Sequence, residues 1–155
     1  MDYYLFKSLH MLSMVFLFGT GMGSAFYKLF TDRGGNITAI ASTNRLVVIA
    51  DWIFTTPAVI VQPVTGFALL HSLGISWTEP WVLAALGLYG LAGGCWLPVV
   101  ALQIRMRRMS DQASAQGAPL PPQYAQDCRA WFWLGVPAFT SMVLIVLLMV
   151  FKPGF

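Results

Sequence analysis

Charge is what this 155-residue chain has least of. Only 10% of its residues are charged, against about 25% in an ordinary soluble domain. That excludes both a solvated globular surface and a charge-rich disordered chain. Two cysteines, Cys95 and Cys128, give neither a disulfide framework nor metal-ligand spacing, and both read as packing residues. There are only two histidines, His10 and His71. The chain has no Walker loop, no nucleophile elbow, no HExxH and no pair of carboxylates within one apolar stretch. Gly19, Gly21 and Gly23 match a nucleotide fingerprint by letter alone, since no strand precedes them. The isoelectric point is near 9.1, but the bases cluster in two segments, so membrane orientation explains them and nucleic-acid binding does not.

What fills the chain instead is apolar. Hydrophobic residues make up 57% of it and the mean hydropathy is +0.69. Four stretches, roughly 4–26, 47–70, 81–103 and 131–151, each hold about 20 residues or more, enough for a helix to cross a hydrocarbon core about 30 Å thick. The expectation is one integral membrane domain embedded in the lipid bilayer. The first stretch is longer than a signal-peptide core and has Asp2 beside a single Lys7, so it reads as a retained helix.

Seven of the nine bases lie in two connecting segments: Lys28, Arg33 and Arg45, then Arg105, Arg107, Arg108 and Arg129. The other side has only Lys7 and Lys152. The positive-inside rule puts the two basic segments in the cytoplasm and both termini outside. Short connections then give an all-α, antiparallel, up-down four-helix bundle. Trp77, Trp81, Tyr3, Tyr4 and Phe155 belong to the outer aromatic belt, and Trp131 and Trp133 to the inner one. Asn36 is placed to cap a helix running on into the second span. The stretch Met109–Gln126, rich in Ser, Ala, Gln and Pro, reads as a loop.

Polar residues inside a span are costly and call for a reason. His10 lies about two turns into the first span, with Lys7 and Met14 on the same helical face. A neutral imidazole in an apolar bundle suits a haem iron; the alternative is a histidine hydrogen-bonded to a neighbouring helix or placed at the interface. His71 ends the second span in the same half of the membrane, which a bis-histidine site requires. Lys7 and Lys152 are placed to meet haem propionates, or simply to snorkel. Met14, Met142 and Met149 are alternative soft ligands or packing residues. Asp51, at the opposite end, reads as half of an ion pair with Arg45 or Arg105, and less conservatively as a site of proton uptake. Gly19-xxx-Gly23 and Gly90-xxx-Gly94 are faces for close helix approach, which points to a homo-oligomer.

Several motifs then stand out together: Lys7-Ser8-Leu9-His10, Asp51-Trp52-x-Phe54-Thr55-x-Pro57, Gln62-Pro63-x-Thr65-Gly66, Trp96-Leu97-Pro98, Leu120-Pro121 and Leu148-Met149-x-x-Lys152-Pro153. The chain resembles, over its whole length, a bacterial family of predicted four-helix integral membrane proteins of unknown function. More distantly, its Lys-x-Leu-His opening is similar to that of the HemJ-type protoporphyrinogen oxidases and the CopD-type copper-resistance proteins. The HemJ likeness implies haem b at His10. The resulting expectation is a b-type haem protein of the bacterial inner membrane, moving electrons between a membrane donor such as quinol and an acceptor on the outer face, with a quinone or a redox protein as partner. A haem-free structural or assembly subunit is the alternative.

The topology has a direct test. Single cysteines at Ser114 and Ser76, in a background lacking Cys95 and Cys128, are expected to show opposite accessibility to a membrane-impermeant thiol reagent in intact cells. Labelling of Ser114 from outside reverses the orientation.

Overall fold

A computed structural model describes residues 2–153, so Phe155 of the expected aromatic belt lies outside the described residues. Four long helices make up the described chain: α1 (Asp2–Gly34), α2 (Ile37–Leu73), α3 (Pro80–Gln116) and α4 (Pro122–Phe151). All four are long and apolar enough to cross a membrane. The chain is therefore an all-helical protein with four membrane-capable helices.

The helices outrun the apolar stretches. At 30 to 37 residues and a rise of ~1.5 Å each, they are roughly 45–55 Å long, and most of the excess lies at the end that carries the arginines. The expected loop Met109–Gln126 is mostly helix, reduced to Gly117–Pro121. Ser, Ala and Gln outside the hydrocarbon look like linker by composition, yet Ala, Gln, Arg and Met are good helix formers. The turns are correspondingly abrupt. Gly117 takes φ +60°, and Ala118 N–H closes back on the Ala113 carbonyl at 3.0 Å, a Schellman stop. Asn36 caps α2 as the sequence suggests, its Oδ1 accepting from Ala39 N–H at 3.1 Å.

Two helices bury a regular seam. On α3, Val82, Ala85, Ala92, Val99, Gln103, Met106, Ser110 and Ala113 are buried; Tyr89 and Trp96 complete the alternating three- and four-residue steps. On α2 the steps run Ala41, Asn44, Val48, Asp51, Thr55, Ala58, Gln62, Thr65, all buried. This is the 3.5-residue period of left-handed helix packing. Asp51, Thr55, Gln62, Thr65 and Gln103 sit on these seams, while Ile53, Ile60, Val64 and Leu97 face outward as lipid requires.

Contacts pair residues in opposite order along neighbouring helices. His10 meets Gln62 while Lys28 meets Asn44. Tyr89 meets Val59 while Ser110 meets Asn44. Lys152 lies over the Trp81 ring while Arg105 meets Asp127. Both described termini therefore lie at one end, and both arginine-rich turns at the other, the basic end.

Packing is lopsided. The core cluster of Ile40, Val99, Met106, Tyr124 and Trp131 belongs to the basic half. There α2 packs on α3, but its Thr56–Leu73 part leans on α1 instead, and the α1 and α4 backbones stay apart, bridged by side chains such as Phe18 on Phe139 and Lys28 on Tyr124.

At the basic end lies a correction to the sequence reading. Lys28, counted there as a loop base, is fully buried. Its Nζ donates to Asp32 Oδ2 at 2.8 Å, Asn44 Oδ1 at 2.8 Å and Tyr124 Oη at 3.1 Å, and it lies over the Tyr124 and Trp131 rings. Tyr124 Oη donates to Asp32 Oδ1 at 2.8 Å, and Asn44 Nδ2 reaches Ser110 Oγ at 3.0 Å. All four helices contribute to this network. The Arg105 guanidinium donates to both Asp127 carboxylate oxygens. Burial acts to raise the Asp127 pKa, but Arg105 and Gln123 outweigh it and the net shift is downward.

Removing one partner of a buried ion pair strands the other. Lys28→Ala is expected to destabilise the bundle by about 3 kcal/mol, read as a loss of thermal stability by fluorescence-detected size exclusion. Lys152→Ala, at an exposed position, is expected to change it by less than about 0.5 kcal/mol.

Candidate functional site

The gap left where α2 leans away from α3 and α4 forms two cavities along the bundle. The first, of about 510 Å³, opens at the termini end. Lys7, His10, Met14, Met142, Met149 and Lys152 all line it, so six of the sequence candidates meet in one place. His71 does not join them. It is exposed on the last turn of α2 and does not line the cavity.

His10 is held firmly. Its Nδ1 lies 3.0 Å from the Gln62 carbonyl and 2.9 Å from Thr65 Oγ1, and its Nε2 lies 3.1 Å from Gln62 Nε2. The protons assign themselves. The Gln62 backbone carbonyl can only accept, so His10 Nδ1 carries a proton, and Thr65, whose own hydroxyl donates to the Val61 carbonyl at 2.7 Å, accepts from it as well. The Ser13 hydroxyl has the His10 carbonyl, at 2.9 Å, and Gln62 Oε1 in reach, and the Gln62 amide nitrogen, turned to His10, donates to Nε2. The imidazole is thus neutral with its proton on Nδ1, and its Nε2 lone pair faces one side-chain amide. Gly66 permits the fit, because a Cβ there would lie 3.3 Å from His10 Cε1.

The second cavity, of about 480 Å³, lies nearer the middle of the bundle. It shares Tyr89 and Met142 with the first. The Tyr89 hydroxyl donates to the Val59 carbonyl. That carbonyl is four residues before Pro63, which has no N–H to offer it, so the tyrosine satisfies the group that the proline frees.

Asp51 lines this second cavity at the start of a π turn, Asp51–Thr55. The expected ion pair does not form. Arg45 pairs with Asp111 at 3.0 Å and Arg105 with Asp127, while Asp51 Oδ1 takes only the Thr55 hydroxyl at 2.8 Å. The wider turn, with Thr56 Oγ1 on the Asp51 carbonyl at 2.9 Å, keeps the carboxyl on the seam, out of reach of the arginines. Asp51 Oδ2, Gln103 Oε1 and Trp96 Nε1 are the buried side-chain atoms without a partner among the described residues, and all three residues line this cavity. Sequence reading passed over Tyr89 and Gln103 and noted Trp96 only within the motif Trp96-Leu97-Pro98. Their signal was the spacing, since they stand seven residues apart on the α3 seam.

Residues 4–153 match a family described as predicted integral membrane protein (DUF2269). The chain belongs to that family. No curated protein and no solved structure matches it. Among the described residues, no three His, Cys, Asp or Glu gather as they would around a bare metal ion. The Cys128 thiol donates to Asp32 at 3.2 Å, and burial together with that carboxylate pushes its pKa up to about 11, which suits a packing residue.

Proposed function

We propose that this protein is a b-type haem protein of the bacterial inner membrane, with haem in the termini-end cavity and its termini facing outward. The observation that carries the reading is His10: its Nδ1–H is tied to the Gln62 carbonyl and Thr65, the outer anchoring usual for a metal-ligating histidine. The cavity volume of about 510 Å³ lies within the range of cofactor sites. A porphyrin brings four ligands of its own, so one or two protein ligands suffice. His10 Nε2 would ligate iron once the Gln62 amide swings aside, exchanging one neutral hydrogen bond of about 1 kcal/mol. Met14, Met142 or Met149 would take the second position, and Lys7 and Lys152 would meet the propionates. Bound there, haem supplies one-electron chemistry, with a membrane quinol or a redox protein as partner.

Protein purified from membranes supplied with haem is expected to show a Soret band and sharp reduced α and β bands. His10→Ala should remove nearly all of the haem. His71→Ala should leave the spectrum unchanged, because His71 lies outside the cavity. A colourless wild-type protein overturns the reading, as does a His10→Ala variant with full haem content.

One observation favours the second reading, a haem-free structural or assembly subunit. Both His10 nitrogens already have partners within the protein. The glycine faces support self-association under either reading: Gly19, Gly90 and Gly94 are exposed, with open space beside each. We propose a homo-oligomer held there. Gly90→Leu is expected to shift the protein toward monomer by native mass spectrometry in mild detergent, and a monomeric wild type counts against it.

A further inference from the structure

The middle cavity sets a single carboxyl among aromatic walls. Asp51 is only 6% exposed. Its polar neighbours, Thr55 and Gln103, are both neutral. Among the described residues, the cations on the helices packed around it are engaged elsewhere: Lys28 with Asp32, Arg45 and Arg107 with Asp111, and Arg105 with Asp127. On α4, the Cys128 thiol is turned to Asp32. Tyr89 is the other titratable residue lining the cavity, and its hydroxyl is held by the Val59 carbonyl. A carboxylate buried without a counter-charge bears the full cost of its lost water. Asp51 escapes that cost in one of two ways: it keeps its proton, or a cation comes to it.

The walls describe which cation. Phe26, Tyr89, Trp96, Trp131, Phe132 and Phe139 all line the cavity, and aromatic rings attract a desolvated cation over their faces. The bundle already uses this chemistry at the cavity edge, where Lys28 Nζ lies 5.4 Å from the centre of the Trp131 ring. A bare metal ion does not suit, because it needs several ligands in place of its water and Asp51 is the one carboxyl here. A volume of about 480 Å³ takes a small organic molecule instead. The cavity is reached sideways. Met22 and Phe26 of α1 and Phe132 and Val136 of α4 line it while being exposed on the lipid-facing surface. The ligand therefore enters from the bilayer and is lipid-soluble.

We propose that this cavity binds a lipid-soluble organic cation in exchange for the proton of Asp51. Empty, the cavity holds the neutral acid. On binding, the carboxyl O–H bond breaks, its proton passes to solvent, and the organic cation becomes the counter-charge of the carboxylate. The net charge inside the bundle is the same before and after, so neither state buries an unpaired ion. Thr55 and Gln103 stay as hydrogen-bonding neighbours of the carboxyl in both states. An anion of the same shape gains nothing from the exchange, because it meets a carboxyl and the negative faces of the rings. The inference goes beyond the haem reading and does not depend on it, because neither Asp51 nor the aromatic walls other than Tyr89 belong to the His10 cavity.

The test is equilibrium binding of tetraphenylphosphonium to the full-length protein in mild detergent, with tetraphenylborate as the anion of matching shape. The phosphonium is expected to bind at least about tenfold more tightly than the borate. Its affinity should rise across about pH 5 to 8, by up to about tenfold per unit, and binding in weak buffer at the acid end should release about one proton per cation. Asp51→Asn keeps the size of the side chain and its capacity to hydrogen-bond. It should weaken the phosphonium at least about tenfold and abolish both the pH dependence and the proton release. Its thermal stability should match the wild type, so lost binding cannot be put down to misfolding. Asp51→Glu should restore pH-dependent binding. His10→Ala should bind the phosphonium like the wild type, which separates this result from any outcome of the haem experiment. Equal affinity for the two ions, binding of neither, an affinity that ignores pH, or an Asp51→Asn variant that binds like the wild type overturns the proposal.

Discussion

A single ammonium group organises the architecture. Lys28 is wholly removed from solvent, and a charge so placed is tolerated only when its neighbours replace the water it has lost. Asp32, Asn44 and Tyr124 do so directly, Ser110 supports Asn44, and the Trp131 and Tyr124 rings complete the surroundings. These groups come from four different helices, so satisfying the charge fixes the basic end of the bundle. No equivalent clamp exists among the described residues at the other end. There α2 follows α1, the two halves of the bundle separate, and the cavities occupy the space between them. The sites are in that sense a by-product of where the polar network sits.

Membrane physics made the class of this protein legible from sequence, because apolar runs of bilayer length have few other uses. The same criterion hid the helix ends. Counting apolar residues stops at the edge of the hydrocarbon, so Met109–Gln126 looked like loop although the helix carries on through it as far as Gln116. Lys28 was misread for a related reason: lysines near membrane edges are ordinarily exposed orientation signals, and only tertiary packing from α2, α3 and α4 makes this one internal. His10 and the residues that gather with it were found because a histidine in hydrocarbon is conspicuous. Tyr89, Trp96 and Gln103 were not, since aromatic and amide side chains are common near spans. Their shared seven-residue spacing carried the signal, and it becomes audible only once α3 is treated as a packed seam.

The irregularities of α2 have a common logic. Pro63 withdraws a donor, and Tyr89 of the facing helix makes good the loss. The π turn at Asp51–Thr55 widens the helix where the carboxyl must face inward. Each departure from regular geometry falls beside a cavity, and each is matched by a side chain positioned to tolerate it. Tyr89 and Met142 then form a shared wall, so the two chambers lie in line along one slot, with a histidine in the first and a carboxylate in the second.

The asymmetry of the packing has a leverage consequence. With one end riveted by the Lys28 network and the other joined only by the short connection 74–79, the two helical hairpins form a pair of tongs. An arm of roughly 30 Å converts a rotation of about 5° at the rivet into roughly 2.5 Å of travel at the tips. The cavity holding His10 lies near those tips and the one holding Asp51 nearer the pivot. Lateral pressure from the surrounding lipid would therefore alter the width of the first chamber far more than that of the second.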